Sequence, residues 1–156
     1  MRQTKNQFGR TMIEMLAVLA IIGVITVGAI AGLDNAMTKF RVSKMHDDIL
    51  SINQSIVDLY AWQRRYPADV DMIELCRNDV FPDGCIGDSV ARNTFGGFFE
   101  ITTNPADSTI TIVANGLPSS VCKALSSDEM DWGEYLVEGD NPTCSGGGTT
   151  LTVKFY

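Results

Sequence analysis

Very little in this chain is equipped for chemistry. It has a single histidine, His46, and no C-x-x-C pair, so a zinc site and a cysteine–histidine nucleophile both lack the residues they need. No Gly-x-Ser-x-Gly turn and no phosphate-binding glycine loop occurs. Basic residues are scarce, with 12 Lys and Arg against 19 Asp and Glu and a net charge of −7. Such a surface repels phosphate backbones, and no direct nucleic-acid binding is expected. Proline is missing from the long apolar run near the N-terminus, so nothing there forces a kink. No internal repeat is visible. These absences imply a chain that is not an enzyme and carries no cofactor and no resident metal.

What is present begins with that apolar run. From Met15 to Leu33 there are 19 residues without a charge, about 28 Å of helix and close to the hydrocarbon thickness of a bilayer. A polar leader, Met1 to Gly9, precedes it, with Arg2 and Lys5 as its only charges; without the leader the net charge is −9. Glu14 stands at the edge of the run in apolar company, where an unpaired carboxylate costs several kcal/mol. A cleaved secretory signal ending near Ala29-Ile30-Ala31 and a plain single-span anchor are the simplest explanations. Against the first, helical periodicity continues through the supposed cut. Leu33, Met37, Phe40, Met45, Ile49, Ile52, Ile56 and Leu59 recur at helical steps, while Asp34, Lys39, Lys44, Asp48 and Asp58 fall largely off that stripe. One helix from Thr11 to near Arg64 is predicted, apolar all round in its first half and one-faced in its second. The flanking charges do not orient it, since Lys39, Arg41 and Lys44 follow the span as Arg2 and Lys5 precede it.

At 45% hydrophobic side chains, the 156 residues can hold one domain of ordinary core size besides the helix. Pro67 is expected to end the helix, and Asp69 to cap a short second one through Leu75 and Cys76. Arg77 to Asn93 is rich in Asp, Gly, Pro and Asn and reads as a loop. Phe95 to Thr102 and Thr109 to Ala114 read as an antiparallel hairpin about the turn Asn104-Pro105-Ala106-Asp107. Gly96-Gly97 signals a bulge or a close backbone approach. Ser119 or Ser120 is expected to cap a helix carrying Cys122 to Leu125. The last eight residues alternate, with Leu151, Val153 and Phe155 on one face, and read as a closing strand. His46 is expected at the surface of the long helix, and Trp62 and Tyr60 in the core or at its rim rather than in a ligand box. The same holds for Phe95, Phe98 and Phe99.

The run Gly9-Arg10-Thr11-Met12-Ile13-Glu14-Met15-Leu16 and the apolar helix after it resemble the class III signal of type IV pilins and their pseudopilin relatives. The match covers roughly the first third of the chain, and it is specific because leader, glycine, acid and apolar run occur together. The resemblance implies an α+β fold: a long N-terminal helix packed on a small antiparallel sheet, with a disulfide-bounded C-terminal region. It divides the chain into a leader (1–9), a transmembrane and filament-core helix (10–33), an amphipathic continuation (34–64) and a globular domain (65–156). It further implies that a prepilin peptidase cuts between Gly9 and Arg10 and methylates the new amino group of Arg10. Glu14 would then act in assembly, paired with the α-amino group of a neighbouring subunit, which neutralises both charges and sets axial register. Gly23, Gly28 and Gly32 thin or soften the helix for close packing or partial melting; Gly23 matches a glycine common in pilin helices. The implied partners are further copies of the chain in a helical filament, the peptidase, the assembly platform with its ATPase, and membrane lipid before assembly. The implied location is the inner membrane, with the domain in the periplasm, and then the cell surface.

Two departures stand out. Pilins usually open with an apolar residue after the cut, whereas Arg10 is charged and could pair with Glu14 at i, i+4. Many also carry a helix-bending proline that is missing here. A complete domain favours a major subunit. The large disulfide-bounded region and the non-Phe first residue lean towards the type IVb group, and the short leader leans the other way. A type II secretion pseudopilin is the nearest alternative, and a single-span binding domain that never polymerises is the other. The four cysteines, Cys76, Cys85, Cys122 and Cys144, suit an oxidising compartment and can pair in three ways. The nearest-neighbour solution, Cys76–Cys85 with Cys122–Cys144, respects the element boundaries, and Cys122–Cys144 would resemble the disulfide-bounded region of pilins. Between them lie Asp128, Glu129, Asp131, Glu134, Glu138 and Asp140, with no Lys or Arg after Lys123. Their spacing fits no EF-hand loop, so a solvated acidic face is expected over a calcium site; another subunit's Lys39, Arg41 or Lys44 is a further possible partner.

Overall fold

The computed structural model describes residues 12–63, 65–68, 70–133, 136–137 and 140–156. The leader, Gly9, Arg10, Thr11, Arg64, Asp69, Glu134 and Glu138 lie outside the described residues. The chain forms two compact units, one ending at Lys39 and the other running from Phe40 to Tyr156.

Helix α1 is Met12–Leu59. Its sequence is rich in Ala, Leu, Ile and Met with no proline, and its polar interruptions do not compete with the helix. Thr26 and Thr38 donate their hydroxyls back to the carbonyls of Ile22 and Asp34, at 2.7 and 3.0 Å. In the first unit the large apolar side chains from Met12 to Leu33 are half exposed or more. In the second unit Met45, Ile49, Ile52 and Ile56 are fully buried and Tyr60 extends the same row. The stripe is thus covered only from Met45 onward; Met37 and Phe40, which share its spacing, stay exposed. The helix also stops earlier than Pro67 suggests. The Tyr60 and Gln63 amides turn back to the carbonyls of Ile56 and Tyr60, and the Tyr60 ring meets Tyr66 edge-on at 6.3 Å. The helix thus ends beside a buried tyrosine, Tyr60, which stands seven residues before Pro67.

Helix α2 is Met72–Arg77, capped by Asp71, whose carboxylate accepts from the Ile73 amide at 2.9 Å. The cap is therefore two residues beyond Asp69. The segment expected to be a plain loop contains a small hairpin, β1 (Cys85–Ile86) and β2 (Val90–Ala91), in register Cys85↔Ala91 and Ile86↔Val90. Strands of two residues carry no readable alternation.

The main sheet joins β3 (Phe99–Asn104), β4 (Thr109–Ala114), β5 (Thr143–Ser145) and β6 (Thr150–Phe155), all antiparallel, in the order β3-β4-β6-β5. Strand β3 starts at Phe99 rather than Phe95, because the residues before it fold around Asn93. Its carboxamide oxygen accepts from the amides of Phe95 and Gly97, and its nitrogen donates to the Asn115 carbonyl at 2.7 Å. Gly97 is where glycine is required: a Cβ there would collide with the Asn115 carbonyl. Strand β6 alternates as its sequence suggests, with Leu151, Val153 and Phe155 buried. Helix α3, Ser119–Leu125, has Pro118 at its N-cap and no side-chain cap, since the Pro118 carbonyl takes the Val121 and Cys122 amides; no serine caps it. Ile49, Ile52 and Ile56 share one hydrophobic core with Ile110, Ile112, Val153 and Phe155.

Candidate assembly helix and the domain that carries it

Glu14 lies in the first described turn of α1 and Gly23, Gly28 and Gly32 farther along it. An 18-residue window within α1 has a mean hydropathy of 2.6 and is entirely unburied, which by length and composition is enough to cross a membrane. Apart from the adjoining residues and the backbone of α1 itself, no described atom lies within 4 Å of where a Cβ would stand on any of the three glycines. Gly9 and Arg10, the expected processing and methylation positions, lie outside the described residues.

The second unit fastens its irregular segments in three ways. The first is covalent: Cys76 is bonded to Cys85 and Cys122 to Cys144, with Cα–Cα distances of 5.7 and 6.0 Å. The first bridge ties α2 to β1, and the second ties α3 to the edge strand β5.

The second is a charge cluster. Lys44 donates to both oxygens of Asp83 at 2.7 and 2.6 Å and lies 3.8 Å from Asp48. Asp48 is buried and accepts from the Thr94 hydroxyl at 3.1 Å. Burial pushes its carboxyl up from the ordinary range, with the Lys44 ammonium and the Thr94 hydroxyl pulling the other way. The hydrogen bond to Asp83 raises Lys44. The cluster joins α1 to the segments on either side of the β1–β2 hairpin.

The third involves His46, which is only partly exposed. Its ring meets Trp132 edge-on at 4.6 Å, Nε2 lies 2.7 Å from the Asp131 carbonyl, and Nδ1 lies 3.5 Å from Asp47. Facing a carbonyl, Nε2 must carry the proton. The indole N–H of Trp132 donates to the Leu125 carbonyl at 3.2 Å. One helix residue thus anchors the start of the acidic stretch.

Asp128, Glu129 and Asp131 are exposed on that stretch and border a cleft of about 350 Å³. Asp140 pairs with Lys154 at 3.1 Å. Among the described residues no group of three or more His, Cys, Asp or Glu is arranged to hold a metal. Of the aromatic residues weighed from sequence, Tyr60 and Phe99 are buried, Phe95 is half-buried, and Phe98 and Trp62 are exposed. In the sequence Asn93 and Asp83 read only as part of a loop, and Asp48 only as a residue off the apolar stripe, although it is buried. An asparagine closely followed by paired glycines was the available sign for the first; the others depend on contacts made across the chain.

A long apolar N-terminal helix, a small antiparallel sheet and a disulfide in the C-terminal region make up an α+β architecture. The chain is 26% identical over 138 residues to the toxin coregulated pilin of Vibrio cholerae, a match covering 84% of this chain and 62% of that one. It is 25% identical over 138 residues, with the same coverages, to the toxin coregulated pilin of Vibrio cholerae serotype O1 (strain ATCC 39315 / El Tor Inaba N16961). The chain therefore spans less than two thirds of the length of these relatives. No protein-family model matches, and no solved structure does. Similarity and architecture together support a type IV pilin.

Proposed function

We propose that the chain is the structural subunit of a type IV pilus, held by its apolar helix in the inner membrane and then polymerised through that helix into a surface filament. The observation that carries this is the uncovered apolar surface of α1 from Met12 to Leu33. Side chains of this size exposed over more than twenty residues need lipid or other copies around them. A filament core and a bilayer both meet that need, and the chain would pass from one to the other. The glycines favour the same account. Each costs a helix about 1 kcal/mol relative to alanine, and no described neighbour within the chain requires any of them. Close approach of a second helix would.

In this proposal prepilin peptidase cuts after Gly9 and methylates Arg10, and Glu14 sets the register of incoming subunits. The platform and ATPase drive the process, and neither a catalytic group nor a cofactor is needed. Similarity to proteins named as pilins favours a pilus over a type II secretion pseudopilus. Mass spectrometry of the mature N-terminus tests the processing step, with N-methyl-Arg10 expected; a mature chain still starting at Met1 would point to an anchored binding domain instead. Glu14→Ala should abolish fibres while leaving the subunit in the membrane. Loss of protein export rather than of fibres would identify a pseudopilin.

A further inference from the structure

The turn after α1 carries a feature that the apolar helix does not explain. Trp62 is 97% exposed, the most exposed large hydrophobic side chain among those described. Beside it Val57, Tyr60, Gln63, Arg65, Tyr66 and Tyr156 line an open cleft of about 320 Å³. Arg65 is exposed and makes no ion pair with a described residue. Tryptophan, tyrosine and arginine are the residues that dominate binding energy at protein interfaces, and a bare indole is costly to leave in water. We infer that this tip docks onto the acidic loop Asp128–Asp131 of a second copy of the chain, an inference that rests on the filament proposal.

Charge complementarity selects that occupant. Between Cys122 and Cys144 the only cation is Lys123, whereas Asp128, Glu129 and Asp131 are exposed and form no ion pair with a described residue. Spacing along α1 favours a second copy. The loop is pinned beside His46 by its 2.7 Å contact to the Asp131 carbonyl and by the Trp132 ring. The tip follows Leu59, the last residue of the helix. The cleft beside Arg65 reaches back to Val57, eleven helical residues from His46 and about 16 Å along the axis, and Arg65 forms no ion pair with the loop of its own chain among the described residues. A second copy displaced along α1 in the same orientation would bring the tip of one copy to the loop of the other. Two different patches at two levels make a head-to-tail contact, the kind that propagates as an open filament.

The test uses full-length chain in cells, with sheared filaments and membrane-held subunit measured together. Arg65→Glu should lower filament yield by about tenfold, the change expected when one interface hot-spot side chain is removed, with the membrane pool unchanged. Combining it with Asp128→Lys and Glu129→Lys should restore the yield. In a separate strain, Trp62→Cys with Glu129→Cys should give a ladder of oxidatively crosslinked subunits in intact filaments. Normal filaments from Arg65→Glu, or filaments without a ladder, overturn the contact and leave the filament proposal standing. A wild-type chain that makes no filaments overturns the filament proposal itself. Quenching of tryptophan fluorescence by an oligothymidylate, lost in Trp62→Ala, would reassign the tip to single-stranded nucleic acid.

Discussion

The two disulfides close loops of different length in different surroundings, and removing each should show it. In the chain-entropy description, a bridge with a sequence separation of 22, as in Cys122–Cys144, restricts the unfolded chain by about 3.4 kcal/mol at 25 °C. The separation of 9 in Cys76–Cys85 corresponds to about 2.6 kcal/mol on the same relation. Packing widens the gap. Cys122 is fully buried on α3, so replacing it by alanine also removes a core sulfur, at a cost of about 1 kcal/mol. Cys76 and Cys85 are only half-buried. The Cys122→Ala/Cys144→Ala chain should therefore lose about 4 kcal/mol and the Cys76→Ala/Cys85→Ala chain about 2 to 3. Urea unfolding of the full chain in detergent, followed by the fluorescence of buried Trp132, measures both. The β5 edge should also open first in the former, since three residues pairing with β6 are its main backbone attachment to the sheet. Equal losses, or a larger loss from the shorter loop, would refute the reasoning.

Other consequences can be measured on the same material. Burial holds the Asp48 carboxyl above its ordinary range, so the folded state keeps the proton longer than the unfolded one. Stability should fall as pH rises from the ordinary carboxylate value near 4 through the raised folded value and level off above it. Asp48→Asn should remove that slope, whereas Asp48→Ala, which leaves the Thr94 hydroxyl without its acceptor, should cost about 1 to 2 kcal/mol at neutral pH; urea titrations across pH check both. Gly97→Ala places a Cβ against the Asn115 carbonyl, and the loss should exceed about 2 kcal/mol in thermal unfolding because backbone must move. Gly87→Ala, in the open β1–β2 turn with φ of 63°, should cost about half that, since only local strain is added.

Much of the fold could be read before any coordinates. The Asn104–Asp107 turn and the alternation of Leu151, Val153 and Phe155 specified strands because each residue's face is decided two positions away. The apolar run to Leu33 declared a helix that no soluble domain covers. Where the sequence misled, a distant residue was responsible. Met37 and Phe40 have the spacing of buried residues but no element to cover them, while Met45 has one. His46 looked like a surface histidine among charges until the 131–132 turn folded onto it. The expected caps shifted because Asp71 reaches the Ile73 amide and the Pro118 carbonyl takes the first α3 amides.

By itself, then, the sequence determined the helix, its membrane-length apolar surface, the hairpin and the closing strand, all of which rest on periodicity and composition within one segment. Only the tertiary structure decided where α1 becomes a core element, how Asp48, Lys44, Asp83 and Thr94 come together, and why Gly97 cannot carry a side chain. Those features depend on groups far apart in the chain, 46 residues between Asp48 and Thr94 and more between Ile49 and Phe155 in the shared core, and local pattern holds no record of what burial will bring into contact.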